Sequence, residues 1–76
     1  MIYDISETDQ NRIERDFVYH SPKGDQPERY EKIRAMGKVF ATLVLESTPK
    51  GREQARALTA IEDACFCANA AIARGE

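Results

Sequence analysis

Gly51-Arg-Glu-Gln-Ala-Arg-Ala-Leu-Thr-Ala-Ile-Glu-Asp-Ala-Cys-Phe-Cys-Ala-Asn-Ala-Ala-Ile-Ala-Arg74 is the stretch on which the fold turns. Leu58, Ile61, Cys65, Ala68 and Ile72 recur at alternating spacings of three and four, and so do Ala57, Ala60, Ala64, Cys67 and Ala71. At about 100° per residue these are two neighbouring apolar stripes on one helix, covering roughly half of the cylinder. A single partner helix covers one stripe. The second, made largely of alanine, is suited to another subunit.

The chain has one other long helical pattern to offer. Asp25-Gln-Pro-Glu28 opens it: Asp25 can cap, Pro27 suits the first turn, and Glu28 completes a capping-box-like pair. Tyr30, Ile33, Met36, Gly37, Phe40, Leu43 and Val44 then share a face, which predicts a helix to Glu46 or Ser47. Val39 and Leu45 fall off that stripe on opposite flanks, as surface apolars or, the favoured reading, as contacts of a second interface. Ser47-Thr-Pro-Lys-Gly51 breaks the pattern, and either Thr48 with Pro49 or Gly51 itself starts the next helix. So short a connection makes the two helices antiparallel.

Upstream, residues 6–14 fit a short helix with Ser6 as N-cap and Asp9 in its first turn. Asp16 to Gly24 alternates and ends in Pro22 and Gly24, which predicts an extended arm or loop. The expected architecture is all-α: a short N-terminal helix and arm over residues 1–24, then an antiparallel helical hairpin over 25–76, in one domain overall. At 76 residues the chain is near the lower limit for a self-sufficient core. A lone hairpin buries one stripe per helix, so a homo-oligomer is expected.

Composition narrows the functions. A net charge of −2 and a pI near 5.4 argue against sequence-independent binding to DNA or RNA duplexes. No apolar run approaches bilayer length and Met1 is not followed by signal-peptide regions, so a soluble cytoplasmic protein without membrane association is expected. Cys65 and Cys67 point about 200° apart on a helix and are read as two small buried hydrophobes. They cannot share a metal ion or close an unstrained disulfide. His20 has no ligand-spaced partner, and no metal or cofactor is expected. Ser6, Ser21 and Ser47 lack a histidine base, the carboxylates fall on helix starts and exposed faces, and the glycines are isolated, so no catalytic residue is assigned and no enzyme is expected.

What remains is a set of aromatics beside cations. Phe17, Tyr19 and Tyr30 are close in sequence to Lys23, Arg29, Lys32 and Arg34, while Arg52, Arg56 and Arg74 sit on the last helix. Flat rings stack on bases, and Arg or Lys neutralise phosphates. Read alone, the same residues also suit arm clips and solvated surface. Phe66, with the small neighbours Ala55, Ala70 and Ala73, suggests a place where the arm or another subunit packs. Asn69 borders the main stripe, where its amide needs a backbone group, a ligand edge or its symmetry mate.

Phe17-x-Tyr-His-x-Pro, Glu28-Arg-Tyr-Glu-x-Ile-Arg, Thr48-Pro-x-Gly-Arg-Glu-Gln-Ala-x-Ala-Leu-Thr-x-Ile-Glu and Ala68-Asn-Ala-Ala-Ile-Ala-Arg74 occur in that order. Together they resemble the bacteriophage anti-CBASS cyclic-nucleotide sponges, which share a helical-hairpin domain with the sponges acting against Thoeris immunity. The resemblance covers residues 16–74 and is most specific in the C-terminal part. Cys67 departs from it, standing where a large aromatic is expected. The resemblance implies a non-catalytic hexamer in the host bacterial cytoplasm that sequesters cyclic dinucleotides, and also cyclic trinucleotides. It implies base stacking by Phe17, or next Tyr19, and phosphate binding by Lys32, with Arg34 close by. For a second, trinucleotide pocket it implies Arg74. The alternative is a structural or regulatory hairpin acting through protein contacts with no nucleotide ligand.

Overall fold

The computed structural model describes residues 3–76, which form three helices: α1 (Glu7–Phe17), α2 (Gln26–Ser47) and α3 (Arg52–Gly75). Ser6 caps α1 as expected, its Oγ accepting from Asp9 N at 3.1 Å. The helix does not stop at residue 14. It runs on through Asp16 and Phe17, where an extended arm was expected. The Arg12–Asp16 pair at i,i+4 (3.6 Å) supports the added turn, and His20 Nε2 donates to the otherwise orphaned Arg15 carbonyl at 2.7 Å. The extended arm therefore begins at Val18.

Entry into α2 also differs in detail. Gly24 has φ +58°, the left-handed region a glycine enters without strain, and this turns the chain into the helix. Asp25 occupies the N-cap but its side chain makes no capping bond; it pairs with Arg29 at 3.2 Å instead. Gln26 takes over, its Oε1 accepting from Lys23 N at 3.1 Å, and it is only 3% exposed. At the other end Thr48 Oγ1 donates to the Val44 carbonyl at 2.7 Å. Gln54 Nε2 then reaches back from α3 to Thr48 O and Oγ1, each at 3.1 Å. Gly51, one of the two starts considered, is the N-cap of α3.

α2 and α3 pack antiparallel along one seam. On α3 the half-buried or buried positions include Leu58, Ile61, Cys65, Ala68 and Ile72, the first of the two predicted stripes. On α2 the seam is narrower than the predicted stripe: Ile33, Gly37, Ala41 and Val44 face inward, while Met36, Phe40 and Leu43 stay exposed. Gly37 is what lets the helices approach. A Cβ there would stand 2.5 Å from Cys65 Sγ, so an alanine would require the thiol to rotate away or the helices to shift. Cys65 is half-buried at this crossing, but Cys67 is exposed, not buried as expected, because the second stripe of α3 has no helix over it.

The result is a single layer. Its extents are 50 × 37 × 13 Å, the last close to one helix diameter of about 10–12 Å. The radius of gyration is 17.1 Å, where a globular chain of this length packs to about 11 Å. Among the described residues Ile61, at 9% exposure, is the one buried hydrophobe.

Candidate ligand grooves

The seam formed by Gly37, Ile61 and Cys65 separates two grooves, one on each face of the helical layer. Their distinct chemistry follows from helix register. Residues 30, 34, 38, 41 and 45 of α2 centre about 145° around the helix from residues 32, 33, 36 and 40, so the cations and aromatics of this helix divide between faces.

The larger groove, about 1120 Å³, lies on the arm side. The arm contributes Tyr19, α2 contributes Tyr30 and Arg34, and α3 contributes Phe66, Asn69 and Arg74. Four of the six residues singled out by sequence (Tyr19, Arg34, Asn69 and Arg74) thus line one cleft, although they come from three segments. Arg34 holds Glu31 at 2.8 Å on its own helix. Asn69 Oδ1 is shielded from solvent and has no hydrogen-bond partner, so an unused acceptor stands on the α3 wall. Phe66 remains exposed while lining this groove, on the side where arm packing was expected.

The smaller groove, about 620 Å³, is almost wholly apolar. Lys32 lies at its edge, beside Met36, Phe40, Ala57, Ala60 and Ala64. Phe17 lines neither groove; it projects from the last turn of α1 and is 84% exposed. Within one chain, therefore, Phe17 and Lys32 share no cleft.

Two arginine–carboxylate pairs tie distant parts together, and neither left a local sequence signal. At the open end of the hairpin, Arg29 makes a bidentate pair with Glu76; its Nη1 donates to Oε2 at 2.7 Å and its Nη2 to Oε1. Gln26 Nε2 adds a bond to Oε1 at 3.2 Å, and Lys23 Nζ donates to the Glu76 main-chain oxygen at 3.1 Å. The Arg29 and Gln26 hydrogen bonds outweigh partial desolvation and hold the Glu76 carboxyl down to about 2, while Arg29 is raised above its ordinary value.

Because its folded value lies below the ordinary 4.5, Glu76 stabilises the fold above about pH 4.5. That contribution is lost as pH falls from there towards 2. Thermal melts of the chain and its Glu76→Gln variant are expected to differ most near neutrality, the variant being lower, and to converge as pH falls through this window. Melting curves that stay parallel down to pH 2 would remove the clasp from the account.

The second pair joins α1 to α3. Arg74 Nη2 donates to the Asp16 carbonyl at 3.4 Å, and Nη1 stands 3.9 Å from Asp16 Oδ1. Partial desolvation of Asp16 is overcome by the Arg15 hydrogen bond and by the charges of Arg15, Arg74 and Arg12. The carboxyl is thereby held below its usual range.

Matching to protein families places this arrangement. The Acb2/Tad1 hairpin-domain model matches residues 9–73, most of the 76-residue chain. The chain belongs to the Acb2/Tad1 hairpin family. That family is a sponge family directed against CBASS and Thoeris immunity, as the sequence resemblance implied. The match begins inside α1 and runs to the last turn of α3, so it spans the helix, the arm and both grooves. No curated protein and no solved structure matches the chain. Among the described residues, no group of three or more metal-ligating side chains forms a cluster, and no helix is long and apolar enough to cross a membrane.

Proposed function

We propose that this protein is a non-catalytic sponge that sequesters cyclic oligonucleotides in the host bacterial cytoplasm and so keeps immune effectors inactive. Cyclic dinucleotides are its first ligand class and cyclic trinucleotides its second. The observation that carries this reading is the arm-side groove: aromatic rings of Tyr19 and Tyr30, the cations Arg34 and Arg74, and the unpaired Asn69 acceptor converge on one cleft. Its volume of about 1120 Å³ sits just above the common ligand-pocket range of about 300–1,000 Å³, which suits a ligand larger than a mononucleotide. Rings offer stacking without regard to base identity, and guanidinium groups meet phosphates.

The working form in this proposal is a homo-oligomer, with six subunits as the family resemblance implies. A one-layer chain with one buried hydrophobe among the described residues leaves Met36, Phe40, Leu43 and Phe66 in water. Stacking copies covers them and turns each open groove into a closed pocket. It also offers a route by which Phe17 of one copy and Lys32 of another meet.

The direct test is calorimetric titration with a panel of cyclic dinucleotides and trinucleotides, paired with thermal melts. At a hundred times Kd a ligand bound to the native state stabilises it by about 2.7 kcal/mol. A panel that produces neither heat nor any rise in Tm would reject the sponge reading and favour the protein-binding hairpin.

A further inference from the structure

We infer that Asp16 is an internal counter-anion for Arg74, and that it sets which anions the arm-side groove accepts. Asp16 lies in the last turn of α1, where the helix macrodipole disfavours an anion. The i,i+4 pair with Arg12 gives the acid a local role in the helix, but that pair does not account for the reach of Arg74 from α3. Three arginines converge on it: Arg12 at 3.6 Å and Arg15 at 3.3 Å from its own helix, and Arg74 from the far end of α3. Its side chain is 20% exposed and lines the groove beside Arg74.

The chain contains a contrast that gives this pair its meaning. Arg29 and Glu76 form a close, bidentate clasp with Gln26 and Lys23 gathered around it. Arg74 and Asp16 stand 3.9 Å apart at the groove edge, with one hydrogen bond of 3.4 Å to the Asp16 carbonyl, and the Arg74 side chain is 42% exposed. The first geometry locks and the second exchanges. An incoming anion at Arg74 must compete with a neighbouring carboxylate, not with water alone. A small singly charged anion gains little by that exchange. A ligand whose separated phosphates also reach Arg34 and Lys38 gains more, because those cations line the same groove. Asp16 thereby favours extended polyanions over the small anions of the cell. The inference takes its natural ligand from the sponge reading, but its anion chemistry is independent of it.

The test compares the chain with Asp16→Asn, Arg74→Ala and the double variant, using inorganic pyrophosphate and a cyclic tri-adenylate as probes. Exposed ion pairs contribute modestly, so Asp16→Asn is expected to raise pyrophosphate affinity about threefold at low ionic strength. The gain should vanish in the Arg74→Ala background and shrink with salt. A scaffold role alone predicts the opposite sign, because removing the α1–α3 tie would loosen the groove. Should the asparagine variant lose helicity, NMR of the unmodified chain decides. Addition of pyrophosphate should then shift the Arg74 Nε–Hε and Asp16 carboxyl signals with one midpoint; a stationary Asp16 signal beside a moving Arg74 overturns the inference. Unchanged or reduced pyrophosphate affinity in a folded Asp16→Asn variant overturns it too, whatever the cyclic nucleotide does. A pyrophosphate gain without any cyclic nucleotide binding would leave this inference standing and reject the sponge reading.

Discussion

Phe40→Asp is expected to dissolve the proposed oligomer and take much of the helical structure with it. Phe40 is exposed in the single chain, in the middle of the apolar groove formed with Met36, Ala57, Ala60 and Ala64. Among the residues lining that groove, Lys32 at its edge is the one cation that could compensate a carboxylate. If a second copy covers the face, the new charge is buried without a partner, which costs about 3–5 kcal/mol. That weakens each contact by about two to four orders of magnitude. Sedimentation or native mass spectrometry at micromolar concentration should then show single chains, and circular dichroism at 222 nm should fall. The two effects are linked because a 13 Å layer with one buried hydrophobe among the described residues has little core of its own. Lys50→Asp, in the exposed connection between α2 and α3, is the matched control and should leave both readouts unchanged. A well-folded solitary species in the unaltered chain would defeat the prediction at once.

The seam was legible because spacing alone specified it. Leu58, Ile61, Cys65, Ala68 and Ile72 could face one direction only on a helix, and the fold buries that stripe more than its alanine-rich neighbour. The ends of α2 were equally plain, since Pro27 and the Ser47-Thr-Pro49 break leave little choice. The end of α1 was not. Asp16-Phe-Val-Tyr alternates like an extended segment, and the helix continues through Phe17 because an i,i+4 pair and the His20 cap outweigh that local pattern. His20, unremarkable as a potential ligand, turned out to complete a helix terminus.

The grooves were only half legible. The residue types pointed to stacking and phosphate contact, but Tyr19, Arg34, Asn69 and Arg74 lie on three segments and meet by topology. The Glu76 clasp left no trace at all, because its partners Gln26 and Arg29 are 50 and 47 residues away. A pairing at that range carries no periodicity to read. The buried α2 stripe is narrower than its spacing suggests, because the one partner helix covers Ile33, Gly37, Ala41 and Val44 and leaves Met36, Phe40 and Leu43 exposed.

Arg74→Ala is expected to impair cyclic trinucleotide binding far more than cyclic dinucleotide binding, with Lys32→Ala and Phe17→Ala showing the reverse. The two sets of residues are already separated in the single chain. Arg74 belongs to the arm-side groove, Lys32 to the opposite face, and Phe17 to neither. A guanidinium on a phosphate contributes about 1.5–3 kcal/mol as a charged hydrogen bond, so its loss lowers affinity for the ligand it serves about 10- to 150-fold. A base stacked on Phe17 contributes about 1–3 kcal/mol by alanine substitution, a loss of similar size for the other ligand. Arg74→Ala also removes one of the three arginines around Asp16, leaving Arg12 and Arg15, so added repulsion from this carboxylate should deepen the trinucleotide defect only slightly. Calorimetry with both ligands on all three variants separates the possibilities. Matched losses for both ligands in every variant would mean one pocket, and the division of charge between the two faces of the layer would have no functional counterpart. Opposite losses would assign one ligand class to each face, with Asp16 and Arg74 as the pair that distinguishes them.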